Sequence, residues 1–166
     1  IRTGVSPTPT GGSVKLQSHV QADEAELLTR VVRELKPRAS LEIGLAMGCS
    51  ALAICDALAD QQQARHIVMD PRQHAQPLWG GIGLHNLARA GFTPLIDFLE
   101  LPSHRGLSQL EAGEIGRDAG HVRIGAAVRR SAGFVEGVRL PVRSGGAQQF
   151  LQAFRGAGPK CHRHGQ

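Results

Sequence analysis

Apolar and polar positions follow two periods along the chain, and the period changes where glycine or proline intervenes. Across residues 23–35 the apolar side chains fall at Leu27, Leu28, Val31, Val32 and Leu35, the spacing of a helix that covers one face. Asp23, Glu24 and Glu26 lie in its first turns, where negative charge suits the helix dipole. Pro37 stops it, since proline cannot continue the hydrogen-bond ladder. Residues 40–43 form a short, largely apolar run closed by Gly44, which predicts a buried strand followed by a turn. Helical spacing returns over residues 50–59 through Ala51, Leu52, Cys55, Leu58 and Ala59. Residues 66–69 predict a second strand, halted by Asp70-Pro71. Residues 80–90 predict a helix through Leu84, Leu87 and Ala88, with Gly91 as its cap. Residues 95–99 predict a third strand, and residues 108–112 a short helix.

Helix and strand therefore alternate, an order that predicts an α/β doubly wound sheet of mainly parallel strands joined by right-handed crossovers. Beyond about residue 113 the pattern dissolves. Glycines and arginines recur, and the one short apolar stretch, residues 124–128, is flanked by Arg123 and Arg129-Arg130. The sheet is expected to be incomplete at its C-terminal end. The chain divides into a flexible leader (residues 1–18), an α/β part (19–112) and a Gly/Arg-rich part (113–166).

Charge follows the same division. Residues 1–101 hold 9 basic and 10 acidic side chains, and residues 102–166 hold 10 and 4. The net charge of +5 thus belongs to the last third. That part lacks interleaved aromatic residues and any RNA-binding motif, so nucleic acid is not the expected partner. A length of 166 residues suits one core. No apolar run reaches the roughly 18–20 residues of a membrane span. The Thr/Pro/Gly-rich start has no signal-peptide character. Three cysteines, Cys49, Cys55 and Cys161, have neither metal-ligand spacing nor a disulfide framework. A reducing cytoplasm is the expected compartment.

The candidate chemistry sits in Leu41-Glu42-Ile43-Gly44-Leu45-Ala46-Met47-Gly48-Cys49-Ser50, between the first predicted strand and its helix. In open α/β sheets ligands bind beyond the carboxyl ends of the strands. Gly44 and Gly48 remove Cβ atoms where backbone approaches ligand, and the helix starting near Ser50 offers free N–H groups. The pattern is acid-x-Gly-x-x-x-Gly rather than the Gly-x-Gly-x-x-Gly of dinucleotide sites. Glu42 disfavours a pyrophosphate and suits an amine-bearing or cationic ligand. Asp70 stands 22 residues beyond Gly48 at the second strand's tip, placed to accept ribose hydroxyls. By itself Asp70-Pro71 reads as the start of a turn; together with Glu42 and the glycines, the binding reading is preferred.

These residues resemble motif I of class I S-adenosylmethionine (SAM)-dependent methyltransferases, in the small-molecule O-methyltransferase-like branch. His66-Ile67-Val68-Met69-Asp70-Pro71 is similar to that family's second strand and ribose-binding acid, residues 80–92 to the following helix and cap, and Phe98-Leu99-Glu100-Leu101-Pro102-Ser103 to the third strand and adenine loop. The resemblance covers residues 20–112 and implies a Rossmann-like sheet with SAM across its strand ends. Glu42 would steer the methionine part. Gly44, Leu45, Ala46 and Gly48 would form its floor, with Ser50 at the helix start. Asp70 would hold the ribose, and Glu100 to Ser103 would border the adenine. The implied activity is methyl transfer to the oxygen or nitrogen of a small-molecule acceptor, and a homo-oligomer is compatible with it. Ala46 replaces a glycine common in the superfamily, and the turn is expected to spare it a glycine-only conformation.

The last third departs from the family. The Asp that usually ends its fourth strand is not found, the later strands cannot be placed from the sequence, and Gly145-Gly146 is followed by Ala147-Gln148-Gln149-Phe150 rather than a strand. A shifted reading frame would produce such a change, so a non-catalytic, truncated or frame-shifted remnant is one alternative. A NAD-dependent oxidoreductase is another, disfavoured by Glu42 and the glycine spacing. No catalytic residue is assigned: His104 borders the site without a partner acid, and His85 reads as a surface or capping residue. Trp79 reads as a loop packing anchor. Cys161, His162 and His164 read as a basic tail rather than a zinc site, so no metal is expected.

Overall fold

The computed structural model describes residues 3–111 together with the strands Ile124–Ser131 and Phe134–Gly137. The two apolar runs become its central strands, β3 (Ala39–Ile43) and β4 (Arg65–Met69), paired parallel with Leu41 opposite Ile67. The third predicted strand is β5 (Ile96–Leu99), parallel to β4. On the other side of β3 lies β6 (Ile124–Ser131), also parallel, and β7 (Phe134–Gly137) pairs antiparallel with β6. The order β5-β4-β3-β6-β7 places successive strands on opposite sides of β3. That reversal is the topological switch point at which open α/β sheets bind ligands. The expected Rossmann-like sheet of mainly parallel strands is present.

The period of two sorts the strand residues onto two faces. Leu41, Ile67 and Met69 form one cluster, covered by Leu107 and Leu110 of α4 (Ser103–Glu111). On the other face Val68 joins Ala51 and Cys55 of α2 (Cys49–Leu58) and Leu87 of α3 (Ile82–Arg89). The first helix, α1 (Ala22–Leu35), packs against α2. Its apolar stripe is only partly covered: Val32 is buried among Ile54, Ala57 and Leu58, whereas Leu35 is exposed. The α1 start is closed by Glu24, whose Oε2 accepts the Gln21 N–H at 2.7 Å. Pro37 follows the helix as expected, after Lys36 has turned left-handed at φ 45°. Gly91, at φ +80°, closes α3 in a Schellman turn, with Phe92 N–H donating to the Leu87 carbonyl and Gly91 N–H to that of Ala88.

Two segments differ from the sequence expectation. Residues read as a flexible leader contain a β hairpin, β1 (Val5–Pro7) paired with β2 (Ser13–Lys15), and Leu16 and Val20 beyond it are buried against Met47, Cys49 and Ile82. The run of Thr, Pro and Gly reflects the tight turn between the strands, closed by Thr8 N–H to the Gly12 carbonyl. The second difference is α4, which starts at Ser103 rather than near 108. Gly106 conceals its first turn in the sequence. Here the glycine is a packing requirement, since a Cβ at that position would lie 2.6 Å from the Met69 sulfur. Among the described residues no helix is long and apolar enough to cross a membrane, and no cluster of His, Cys, Asp and Glu has metal-site geometry. The Gly145-Gly146 pair, the Cys161–His164 cluster and the frame-shift reading lie outside the described residues.

Candidate functional site

The bend between β3 and α2 is built from left-handed residues. Gly44 has φ +90° and Gly48 has φ +79°. A Cβ on Gly44 would meet nothing within 4 Å, so the space above the bend is open, whereas one on Gly48 would approach the Gly83 carbonyl at 3.0 Å. Ala46 departs from expectation, adopting φ +48°. Its left-handed conformation costs an L-residue roughly 1–2 kcal/mol and is held by two hydrogen bonds and one close packing contact. Its N–H donates to Asp70 Oδ2 at 3.1 Å, its carbonyl accepts from the Gln73 amide at 3.0 Å, and α3 closes from the side through Gly83.

Two carboxylates brace this loop. Asp70, at the tip of β4, accepts the Leu45 N–H (2.9 Å) and the Ala46 N–H on Oδ2, and the Arg72 N–H (2.9 Å) on Oδ1. Three backbone donors therefore occupy the carboxylate that the sequence reading gives to the ribose; of its roughly four acceptor positions, one remains. Glu42 is 2% exposed and lies under the first turn of α2. It accepts the Ser50 hydroxyl on Oε1 and contacts His66 Nε2 at 3.0 Å through Oε2. Ser40 Oγ lies 2.8 Å from His66 Nδ1 on the far side of the ring. The structure thus places Glu42 and Ser50 on each other, with the Gly44, Leu45, Ala46 and Gly48 bend above them. Burial, then the nearby charge of Glu42, pushes the Cys55 thiol up to about 12. Cys49 and Cys55 are buried thiols, as the sequence suggests.

Across the strand ends, Glu100 forms an exposed ion pair with His74, Nδ1 to Oε2 at 2.9 Å, and also accepts the His74 N–H at 3.2 Å. The His74 hydrogen bonds hold the Glu100 carboxyl below its ordinary range. His74 also meets Phe98 edge to face, with centroids 6.1 Å apart. Ser103 begins α4 beside this pair in sequence, and His104 is exposed on the first turn of α4.

Sequence reasoning missed four polar residues that shape the site. Gln73 is fully buried; its amide nitrogen donates to the Ala46 carbonyl and its oxygen accepts the Gly83 N–H at 2.9 Å, which clamps α3 to the bend. Asn86 donates to the Met47 carbonyl at 3.0 Å and to Ser6 Oγ at 2.7 Å, tying the N-terminal hairpin to the same bend. Ser40 and His66 are directly opposite in the β3–β4 register. Their signal was a polar residue on an inward position of a short apolar strand. Trp79 is half-buried against the Met47–Ile82 cluster, the packing role expected of it.

No protein-family model matches the chain. No curated protein matches it. Solved structures do. An O-methyltransferase from Bacillus cereus in complex with S-adenosylhomocysteine (SAH) aligns with a TM-score of 0.50 at 22% identity, over 58% of this chain and 42% of that one. Over the aligned part the chain shares the Rossmann-like fold of that structure. Two further solved methyltransferases align at lower scores. The O-methyltransferase TomG from Streptomyces achromogenes, in complex with SAM, gives 0.45 at 23% identity over 56% and 38% of the two chains. The SAH-bound Podospora anserina methyltransferase gives 0.48 at 21% over 54% and 36%. The chain spans about two fifths of the length of the solved structures it matches, 40–42% for three of them.

Proposed function

We propose that residues 19–112 bind SAM and that the protein transfers its methyl group to an oxygen or nitrogen of a small-molecule acceptor. The observation that carries this reading is the buried Glu42 carboxylate beneath the first turn of α2. A helix N-terminus in a nucleotide site normally receives phosphate. An acidic, hydrogen-bond-accepting side chain under that turn disfavours a pyrophosphate and suits a phosphate-free nucleoside bearing an ammonium and a sulfonium. The open space above Gly44 and the half-buried Ala46 leave room for such a ligand. Glu42 and Ser50 would set the methionine end, the remaining acceptor position of Asp70 a ribose hydroxyl, and Glu100 with Ser103 the adenine edge.

When bound, SAM supplies an activated methyl group on a sulfonium leaving group. The chain's own part is positioning: holding the bend rigid so that acceptor, methyl and sulfur can align, which is where intramolecular reactions gain most of their rate. Calorimetric titration of the full chain with SAH, SAM and NAD tests the assignment, followed by transfer of radiolabelled methyl from SAM to a panel of phenolic, carboxylic and amine acceptors. Binding of SAH and SAM together with transfer is the expected result. Binding without transfer would leave a nucleoside-binding protein with no methyltransferase activity. Tight NAD binding without response to SAH would overturn the assignment.

A further inference from the structure

On the sheet face beneath α2, the period of two aligns Ser40 and Glu42 of β3 with His66 and Val68 of β4. Val68 packs as the apolar neighbours do, but the other three positions are polar and buried. They form one continuous chain with the bend: Ser40 Oγ to His66 Nδ1, His66 Nε2 to Glu42 Oε2, and Glu42 Oε1 to Ser50 Oγ. Every buried side-chain polar atom among the described residues has a partner. Such networks are retained where they specify one arrangement, because a partly satisfied one is costly. We infer that His66, itself positioned by Ser40, is a positioning residue that sets the orientation of Glu42 and through Ser50 the first turn of α2, so that the nucleoside-binding bend is preformed. This inference rests on the nucleoside-binding reading above.

The chemistry of each link supports the direction of control. A carboxylate only accepts, so Nε2 of His66 carries the hydrogen in its bond to Glu42, while Ser40 Oγ, which can donate or accept, meets the other ring nitrogen. His66 is therefore a fixed donor on a strand, at 0% exposure, where the backbone ladder and packing hold its ring. Glu42 spans the distance from that fixed point to Ser50 on α2. Asp70 braces the middle of the bend through Leu45 and Ala46, and the histidine chain braces its helix end. Ligand affinity depends on how little a site must be ordered on binding.

The experiment is calorimetric titration of SAH into the full chain and into His66→Leu, His66→Gln and Ser50→Ala, alone and with Ser50→Ala combined with His66→Leu, each first checked for cooperative melting. Glutamine offers an N–H near the position of Nε2, so His66→Gln is expected to bind within about threefold of the unmodified chain. Loss of one well-placed hydrogen-bond donor is expected to weaken His66→Leu about tenfold or more. In the Ser50→Ala background the further loss from His66→Leu is expected to shrink to about twofold, because the route to the helix is already cut. Equal weakening in both backgrounds, equal weakening by Gln and Leu, or no weakening by Leu would each overturn the inference. Should His66→Leu fail to melt cooperatively, His66→Asn takes its place, since it retains a partner for Ser40 but is too short to reach Glu42; SAH affinity within threefold of the unmodified chain would likewise overturn the inference. Absence of SAH binding by the unmodified chain instead removes the nucleoside reading itself, before any variant is compared.

Discussion

Replacing Gly83 by alanine probes whether α3 is pressed onto the bend as closely as the structure shows. A Cβ at Gly83 would lie 2.6 Å from the Ala46 carbonyl oxygen, 2.7 Å from Leu45 Cγ and 2.9 Å from Gln73 Oε1. One of these is backbone and another belongs to the buried Gln73 clamp, so a side-chain rotation cannot relieve them. In an unconstrained helix interior, alanine is favoured over glycine by about 1 kcal/mol. Against that stand overpacking at about 1–3 kcal/mol and a weakened Gln73–Gly83 hydrogen bond at about 1 kcal/mol. The net expectation is a destabilisation of about 2 kcal/mol, or a fall in Tm of roughly 4–8 °C for a chain of this length. Thermal and urea denaturation followed by circular dichroism measure it, with Gly91→Ala as a comparison. Gly91 has open space around it and only its φ of +80° to oppose a side chain, so about 1–2 kcal/mol is expected there. SAH affinity should fall for Gly83→Ala, whose side chain pushes on the bend, and hold for Gly91→Ala. A Gly83→Ala protein as stable as the parent would refute the close approach and with it the account of how the bend is held.

Gln73→Leu should destabilise by about 2–4 kcal/mol, because it leaves the Gly83 N–H and the Ala46 carbonyl without their amide partner in a buried site; urea unfolding reads the loss directly. Cys55, its thiol raised to about 12 by burial and the charge of Glu42, should resist iodoacetamide at pH 8.5 in the folded protein and react in urea, as peptide mass mapping would reveal; native labelling comparable to that in urea would contradict its burial. Glu100 should titrate below the ordinary glutamate value of 4.5 because His74 hydrogen-bonds its ionised form. The folded value being the lower one, the associated stabilisation is present above the ordinary glutamate range and is lost as pH falls through the folded value. NMR titration should show the Glu100 midpoint returning upward in His74→Ala, and an unchanged midpoint would remove His74 as the cause.

The alternation of helix and strand was legible because it depends on local spacing. The stripe of α1, the runs that become β3 and β4, and the Gly91 cap each follow from a few neighbouring residues. The acid-led glycine bend was legible for the same reason, since Gly44 and Gly48 occupy left-handed conformations that their neighbours could not adopt cheaply. The hairpin was hidden because Thr, Pro and Gly signal a turn and a loose leader equally well. Only pairing between Val5 and Lys15, and burial of Leu16 and Val20 against α2 and α3 residues, separates the two. The first turn of α4 was hidden because Gly106 reads as a breaker until Met69 is seen beside it.

The sequence by itself determined the order of elements, the bend after β3 and the presence of an acid at each strand tip, because side-chain period and backbone preference act over a few residues. Tertiary structure alone decided what those acids hold. Asp70 bonds Leu45 and Ala46, 25 and 24 residues away, and Glu42 reaches His66, 24 residues on. Hydrogen-bond partners of a buried carboxylate are chosen by which donors the packed strands and helices bring within about 3 Å, and no local spacing encodes that choice.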